Sequence, residues 1–158
     1  MSRVQLALNV SNLDDAVVFY SKLFGTEVAK RKPGYANFEI ADPPLKLVLF
    51  EGGEGGTLNH LGVETDAAAE VEAAERRLSA SGLDTTGLDD TVCCYAEKVE
   101  TWVFDPDGAK WEWYVKTADA ESMGGPEEAP ATCCAPEPLA TAVVTAGSAR
   151  SDCSTTRP

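Results

Sequence analysis

The segment Gln5-Leu6-Ala7-Leu8-Asn9-Val10 returns 55 residues later as His60-Leu61-Gly62-Val63-Glu64-Thr65. Each copy alternates in polarity as a half-buried strand does, and each is followed by a segment with helical spacing. After the first, a helix starts at Ser11 or Asn12 and runs to Phe24. Asp14 and Asp15 lie at capping-box spacing, Leu13, Ala16, Val17, Tyr20, Leu23 and Phe24 form its apolar stripe, and Gly25 is its stop. After the second, a helix is expected over about 66–81, ended by Gly82, with Glu72 and Arg76 one turn apart. Further strands are expected near 27–32, 35–40 and 45–51 in the first half. In the second they fall near 84–89, 96–104 and 109–116, the last pair joined by the turn Asp105-Pro106-Asp107-Gly108. The order strand, helix, three strands is therefore written twice. The fold expected is α+β, with two βαβββ modules (about 3–52 and about 58–117) sharing one curved mixed sheet. Helices cover one face, and the other lines a cup.

Residues 118–158 read differently. They hold five of the nine prolines and no aromatic residue, so they lack the apolar area needed to offset their ordering entropy. They are expected to form a disordered Pro/Ala/Glu/Thr-rich tail beyond a single domain over 1–117. A formal charge of -13 excludes neutralising a phosphate backbone or docking on an anionic membrane. The N-terminal stretch is no signal peptide and no apolar run spans a bilayer, so a cytoplasmic location is expected. There are five cysteines, an odd number with two adjacent pairs, which suits thiols in a reducing compartment rather than a disulfide framework.

Three polar residues carry the candidate chemistry of the cup. At the repeat offset Gln5 corresponds to His60, and both lie on the strand face not given to the helices. In the last strand Glu112 and Tyr114 share that face, alternating with Trp111, Trp113 and Val115. One nitrogen and two oxygens from Gln5, His60 and Glu112 suit a mid-series divalent metal, and three ligands leave positions open for substrate or dioxygen. This makes the concavity a metal-binding cup. The equivalent strand of the first half offers only Lys46, so a fourth ligand is absent unless Glu51 supplies it. Singly, each residue also has an ordinary role open to it: a core histidine, a solvated strand glutamine, a cross-strand Glu–Lys pair. Cys93 and Cys94 place two sulfurs within reach of one thiophilic atom, such as trivalent arsenic or cadmium. They can equally be half-buried small hydrophobes. The second pair, Cys133 and Cys134, with Cys153, either collects a soft metal or is unselected tail composition.

The pattern of Gln5 through Val10, Ser11-Asn12-Leu13, Phe19-Tyr20, Leu23-Phe24-Gly25, His60-Leu61-Gly62-Val63 and Asp105-Pro106-Asp107-Gly108-Ala109-Lys110-Trp111-Glu112 resembles the vicinal oxygen chelate superfamily. That group includes glyoxalase I, bleomycin- and fosfomycin-resistance proteins and extradiol dioxygenases. Thr91-Val92-Cys93-Cys94-Tyr95-Ala96, taken with the Gln, His, Glu set, is similar to the carbon-arsenic lyases and the related cadmium-induced proteins. The resemblance implies Fe(II) held by Gln5, His60 and Glu112, with a trivalent organoarsenical bound by Cys93 and Cys94. Most of the superfamily has a histidine at the position of Gln5; in the Cys-Cys subgroup the glutamine is expected. The implied activity is Fe(II)- and dioxygen-dependent cleavage of the carbon–arsenic bond of methylarsonous acid or trivalent aromatic arsenicals, releasing arsenite and an oxidised organic fragment. Tyr114 and Lys98, with Tyr95, are its candidate catalytic or proton-donating groups. A monomer or homodimer acting on small molecules is implied. Thiol-based sequestration of cadmium or arsenite, and metal-free drug binding, are the competing functions.

Overall fold

The computed structural model describes residues 2–124. The first module comprises β1 (Arg3–Val10), α1 (Leu13–Phe24), β2 (Lys30–Lys32), β3 (Tyr35–Ile40) and β4 (Leu45–Glu51). The second comprises β5 (Leu58–Glu64), α2 (Ala68–Ala80), β6 (Asp89–Cys93), β7 (Ala96–Phe104) and β8 (Lys110–Asp119). Their strands form one eight-stranded sheet in the order β2-β3-β4-β1-β5-β8-β7-β6. The modules meet where β1 runs antiparallel to β5, and each contributes one parallel pair, β1 with β4 and β5 with β8. Two βαβββ modules in one mixed sheet is the architecture that the repeat implied.

α1 forms where expected because its ends are capped. The Asn12 side chain accepts from the Asp15 N–H at 3.0 Å, and Gly25 takes a left-handed conformation with its N–H on the Ser21 carbonyl. Its buried face, Leu13 and Val17, packs with Val10, Ala36, Phe38, Ile40, Leu47 and Leu49, so every second residue of β3 and β4 points to the helix. α2 starts at Ala68, two residues later than expected, because Glu70 reaches back to accept from the Asp66 and Ala67 N–H groups. Val71, Ala74 and Leu78 are its buried stripe. The residues left over by this alternation face the cup.

Three strand boundaries also differ from the sequence reading. The strand expected over 84–89 begins only at Asp89; before it Thr85 makes one isolated bridge to Val103. Pairing with β7, anchored at Cys93 opposite Ala96, sets its position rather than local composition. β2 is confined to Lys30–Lys32 rather than starting at 27. β8 continues through Asp119, past the expected boundary at 117, because its outer residues pair with Ala96 and Glu97. Cys133, Cys134, Cys153 and most of the expected tail lie outside the described residues. Among the described residues no helix is long and apolar enough to cross a membrane.

Candidate functional site

One row across the sheet organises the centre of the cup. Lys46, Gln5, Gly62, Glu112 and Trp102 are successive cross-strand partners, and paired residues share a face. Gly62 leaves a gap in that row: a Cβ there would come within 3.2 Å of the Glu112 carbonyl and 3.4 Å of Gln5 Cβ. Across the gap Gln5 Nε2 lies 3.1 Å from Glu112 Oε2 and 2.9 Å from His60 Nε2, and the last two atoms are 3.6 Å apart. Donor atoms about 2.1 Å from one cation at right angles lie about 3 Å apart. The three side chains therefore form one triangular face with the dimensions of a facial metal triad. Among the described residues no three His, Cys, Asp or Glu side chains cluster in this way; the third donor is an amide.

Each candidate donor is held from behind. His60 Nδ1 lies 2.8 Å from Asn59 Oδ1, whose amide nitrogen donates to Asn9 Oδ1 at 2.8 Å, and Asn9 donates to Thr57 Oγ1 at 2.9 Å. This chain places the imidazole proton on Nδ1 and leaves the Nε2 lone pair toward the cup. Trp102 packs edge-on against the ring, with centroids 5.3 Å apart. Gln5 Oε1 accepts from the Tyr114 hydroxyl at 2.5 Å, and Lys46 Nζ donates to that hydroxyl at 2.9 Å. A half-turn of the amide exchanges its two ends. It brings Oε1 to the cup as a metal donor and lets Nε2 donate to the Tyr114 oxygen. The donor set thus fits a divalent cation.

The charges are concentrated in the second module. Glu112 is fully buried, which pushes its carboxyl up, yet the adjacent Lys98 ammonium brings it below the usual carboxylate range. Burial opposes the Lys98 charge, but Glu112 and Glu100 hold it well above its ordinary value, with Cys93 and Cys94 contributing in the same direction. Glu100, 3.0 Å from Lys98, is raised to about 7 by burial despite that ammonium. Burial and the Glu112 charge also push the Tyr114 phenol up, so it is a neutral donor and not a base.

Cys93 ends β6, and Cys94-Tyr95 is the two-residue turn into β7, with φ of 59° and 60°. A hairpin of this length usually takes Asn-Gly, because both corners need positive φ. Two side-chain-bearing residues here put local strain at the hairpin tip. The sulfurs lie 2.9 Å apart, a bite for one soft atom. They open on the same cavity of about 270 Å³ that Gln5, His60, Glu112 and Lys98 line.

Seven of the residues singled out from the sequence, Gln5, His60, Cys93, Cys94, Lys98, Glu112 and Tyr114, line this cavity. Tyr95 instead packs against Tyr35 with ring centroids 5.6 Å apart. Glu51 does not reach it: its carboxylate accepts from the Leu13 N–H at 3.0 Å, at the start of α1. Glu100, Asn59 and Asn9 were not foreseen. The alternation Lys98, Glu100, Trp102 in β7 was the signal for the first; the other two are polar residues of the repeated strand copies.

Residues 3–113 match the family described as Glyoxalase/Bleomycin resistance protein/Dioxygenase superfamily. The chain is 58% identical over 125 residues to the cadmium-induced protein CadI of Mycobacterium tuberculosis (strain ATCC 25618 / H37Rv), covering 78% of this chain and 82% of that one. It is 54% identical over 138 residues to the trivalent organoarsenical cleaving enzyme of Thermomonospora curvata, covering 86% and 90%. The Mn(II)-bound glyoxalase from Novosphingobium aromaticivorans shares the fold, with a TM-score of 0.56 at 18% identity over 80% of this chain and 44% of that one. With the paired modules, the polar cup between them and these matches in hand, the chain belongs to the glyoxalase/bleomycin resistance protein/dioxygenase superfamily.

Proposed function

We propose that this protein is an Fe(II)- and dioxygen-dependent carbon–arsenic lyase acting on trivalent organoarsenicals. The observation that carries the reading is that one cavity holds both the Gln5, His60, Glu112 triangle and the Cys93-Cys94 pair. The likeness to a relative named for organoarsenical cleavage supports it. The two thiols replace the two hydroxyls of an organoarsonous acid, forming two S–As bonds and releasing two waters, with the carbon substituent left as the third bond on arsenic. Fixing the arsenic beside the metal triangle turns an encounter of two reactants into a step within one site. Gln5, His60 and Glu112 would hold Fe(II), which when bound would supply the means of reducing dioxygen at the expense of the carbon–arsenic bond. For the methyl compound the sum balances with one dioxygen, giving formaldehyde and arsenous acid. Lys98 keeps Glu112 ionised and sets a positive charge toward the thiols. Tyr114 fixes the Gln5 amide, and Val48, Phe50 and Tyr35 keep one side of the cavity apolar. Thiols in this role require a reducing compartment, in keeping with a cytoplasmic site of action.

The test is anaerobic loading with Fe(II), addition of methylarsonous acid, then air, with speciation of the arsenic. Arsenite in many-fold excess over protein, dependent on both iron and oxygen, is expected. Cys93→Ser or Cys94→Ser abolishes it while leaving Fe(II) binding nearly intact. Stoichiometric retention of arsenic without arsenite release establishes the second reading, thiol-based sequestration of a soft metal or metalloid, which the 58% identity to a cadmium-induced protein favours.

A further inference from the structure

The Tyr114 hydroxyl has two partners among the described residues. It donates to Gln5 Oε1 at 2.5 Å and accepts from Lys46 Nζ at 2.9 Å. An ammonium has only donors, so the Lys46 bond occupies a lone pair of the tyrosine oxygen and leaves its one proton to the glutamine. Tyr114 is 1% exposed and lines the same cavity as the two thiols. The other end of the amide is matched as well. Gln5 Nε2 donates to Glu112 Oε2 at 3.1 Å and meets the His60 Nε2 lone pair at 2.9 Å. With two N–H groups the amide nitrogen satisfies both neighbours, which an oxygen at that place could not do.

A cation held by all three side chains demands the opposite orientation. An amide nitrogen offers a metal no lone pair, whereas the carbonyl oxygen does, and the cation turns repulsion among three lone-pair donors into attraction. The half-turn that brings Oε1 to the cup sends Nε2 to the Tyr114 hydroxyl. That oxygen then accepts twice, from Gln5 and from Lys46, which exhausts its lone pairs. Its own proton has lost its acceptor, and no other acceptor among the described residues lies on that hydroxyl. A buried O–H left unpaired is costly, so the proton turns to whatever acceptor the cavity holds.

We propose that Tyr114 is a metal-gated hydrogen-bond donor: when Gln5 holds a metal through its carbonyl, the tyrosine O–H is released from the amide and donates to an anionic or oxygen-bearing ligand in the cup. The inference rests on the reading of Gln5, His60 and Glu112 as a metal site, and it adds a ligand-binding residue to the function proposed above. It also sets an order of events, since the donor is offered only once the metal is in place.

Gln5 is the only glutamine of the chain and His60 the only histidine, so isotopic nitrogen in the glutamine side chain gives one amide group to follow by nuclear magnetic resonance. In the wild type its N–H protons should show Overhauser contacts with the His60 ring before metal is added. After addition of Zn(II), a diamagnetic probe with the charge of Fe(II), the contacts should be with the Tyr114 ring. Zn(II) that binds without moving the protons off His60 overturns the proposal. The second measurement titrates azide into Co(II)-loaded protein, read from the visible absorption of the metal. Tyr114→Phe should weaken azide binding by about tenfold or more, the loss of a hydrogen bond to a charged acceptor, while competition against a chelator shows Co(II) affinity little changed. A tyrosine that only props Gln5 gives the reverse, a lowered metal affinity with azide binding to the loaded protein unchanged, and that result also overturns the proposal. Arsenite release from Fe(II)-loaded protein whose amide does not turn sinks the proposal and leaves the lyase reading standing. A turned amide and the azide effect without arsenite release do the opposite. Protein that retains none of Zn(II), Co(II) or Fe(II) overturns both.

Discussion

Through the same parallel pairing, Ala7 faces Val48 in the first module and Gly62 faces Glu112 in the second; two residues on, Asn9 faces Phe50 and Glu64 faces Tyr114. The backbones repeat, and the side chains diverge by polarity. In the first module this part of the cup is an apolar cluster of Ala7, Tyr35, Val48 and Phe50. In the second it is a buried charged network of Lys98, Glu100 and Glu112 beside His60. A buried carboxylate costs several kcal/mol unless it is paired, so Glu112 required the partners on β7 as well as its own substitution. On the function proposed above, the second module supplies the charge and two of the three candidate metal donors, with Gln5 the third from the first module. The apolar cluster of the first module is left to meet the organic part of a ligand.

Copying the first module into the second should break this division most completely. Glu112→Val, the residue that Val48 supplies at the matching position, removes the charged donor and strands Lys98 with Glu100 alone. Removing one partner of a buried ion pair costs about 3–5 kcal/mol, partly offset here by the apolar replacement. The variant is expected to retain no Fe(II) after desalting and to release no arsenite, while its thiols still capture the arsenical. Metal retention equal to the wild type would remove Glu112 from the site. A smaller effect is expected one step further out. Asn59→Ala frees His60 Nδ1 from its acceptor, and loss of such an outer partner typically weakens metal affinity about 10–100-fold. Competitive titration against a chelator measures this. An affinity unchanged within error would show that the Asn9–Asn59 chain does not orient the ring.

The division between modules was only partly legible beforehand. The repeat carried the element order and the equivalence of Gln5 with His60, because strand alternation places both on one face wherever the strands lie. Glu112 followed from the same alternation in β8. The burial of Glu100 did not, since a Lys-x-Glu alternation reads equally well as a solvated pair; only the pairing of Glu100 with Tyr114 and of Trp102 with Glu112 turns it inward. The cysteine turn was hidden for a chemical reason: Cys94-Tyr95 carries none of the Asn or Gly that marks a two-residue hairpin, so β6 was expected too early. Residues 120–124 turn back over the cysteine hairpin, where the Ala120 N–H donates to the Tyr95 carbonyl and the Cys94 N–H to the Met123 carbonyl. This was invisible because Ala-Glu-Ser-Met-Gly has tail composition, and its order comes from hydrogen bonds to residues distant in sequence.

The smallest effect concerns the seam between modules, where Lys46 of the first reaches Glu64 of the second at 2.9 Å and Arg3 reaches it at 2.5 Å. Burial pushes the Glu64 carboxyl up, but the Lys46 charge and the Arg3 hydrogen bond outweigh it, leaving the group below its ordinary value of 4.5. A carboxyl lowered in the folded state stabilises the fold fully above its unfolded pKa, and that contribution is lost as pH falls through the folded one. Glu64→Gln should therefore be less stable than the wild type at pH 7, on the order of 1 kcal/mol for a partly screened pair. The two denaturation curves should converge as the pH is taken well below 4.5. A gap that persists at low pH would mean that Glu64 joins the modules through packing or neutral hydrogen bonds, and that the polar seam is not electrostatic in origin.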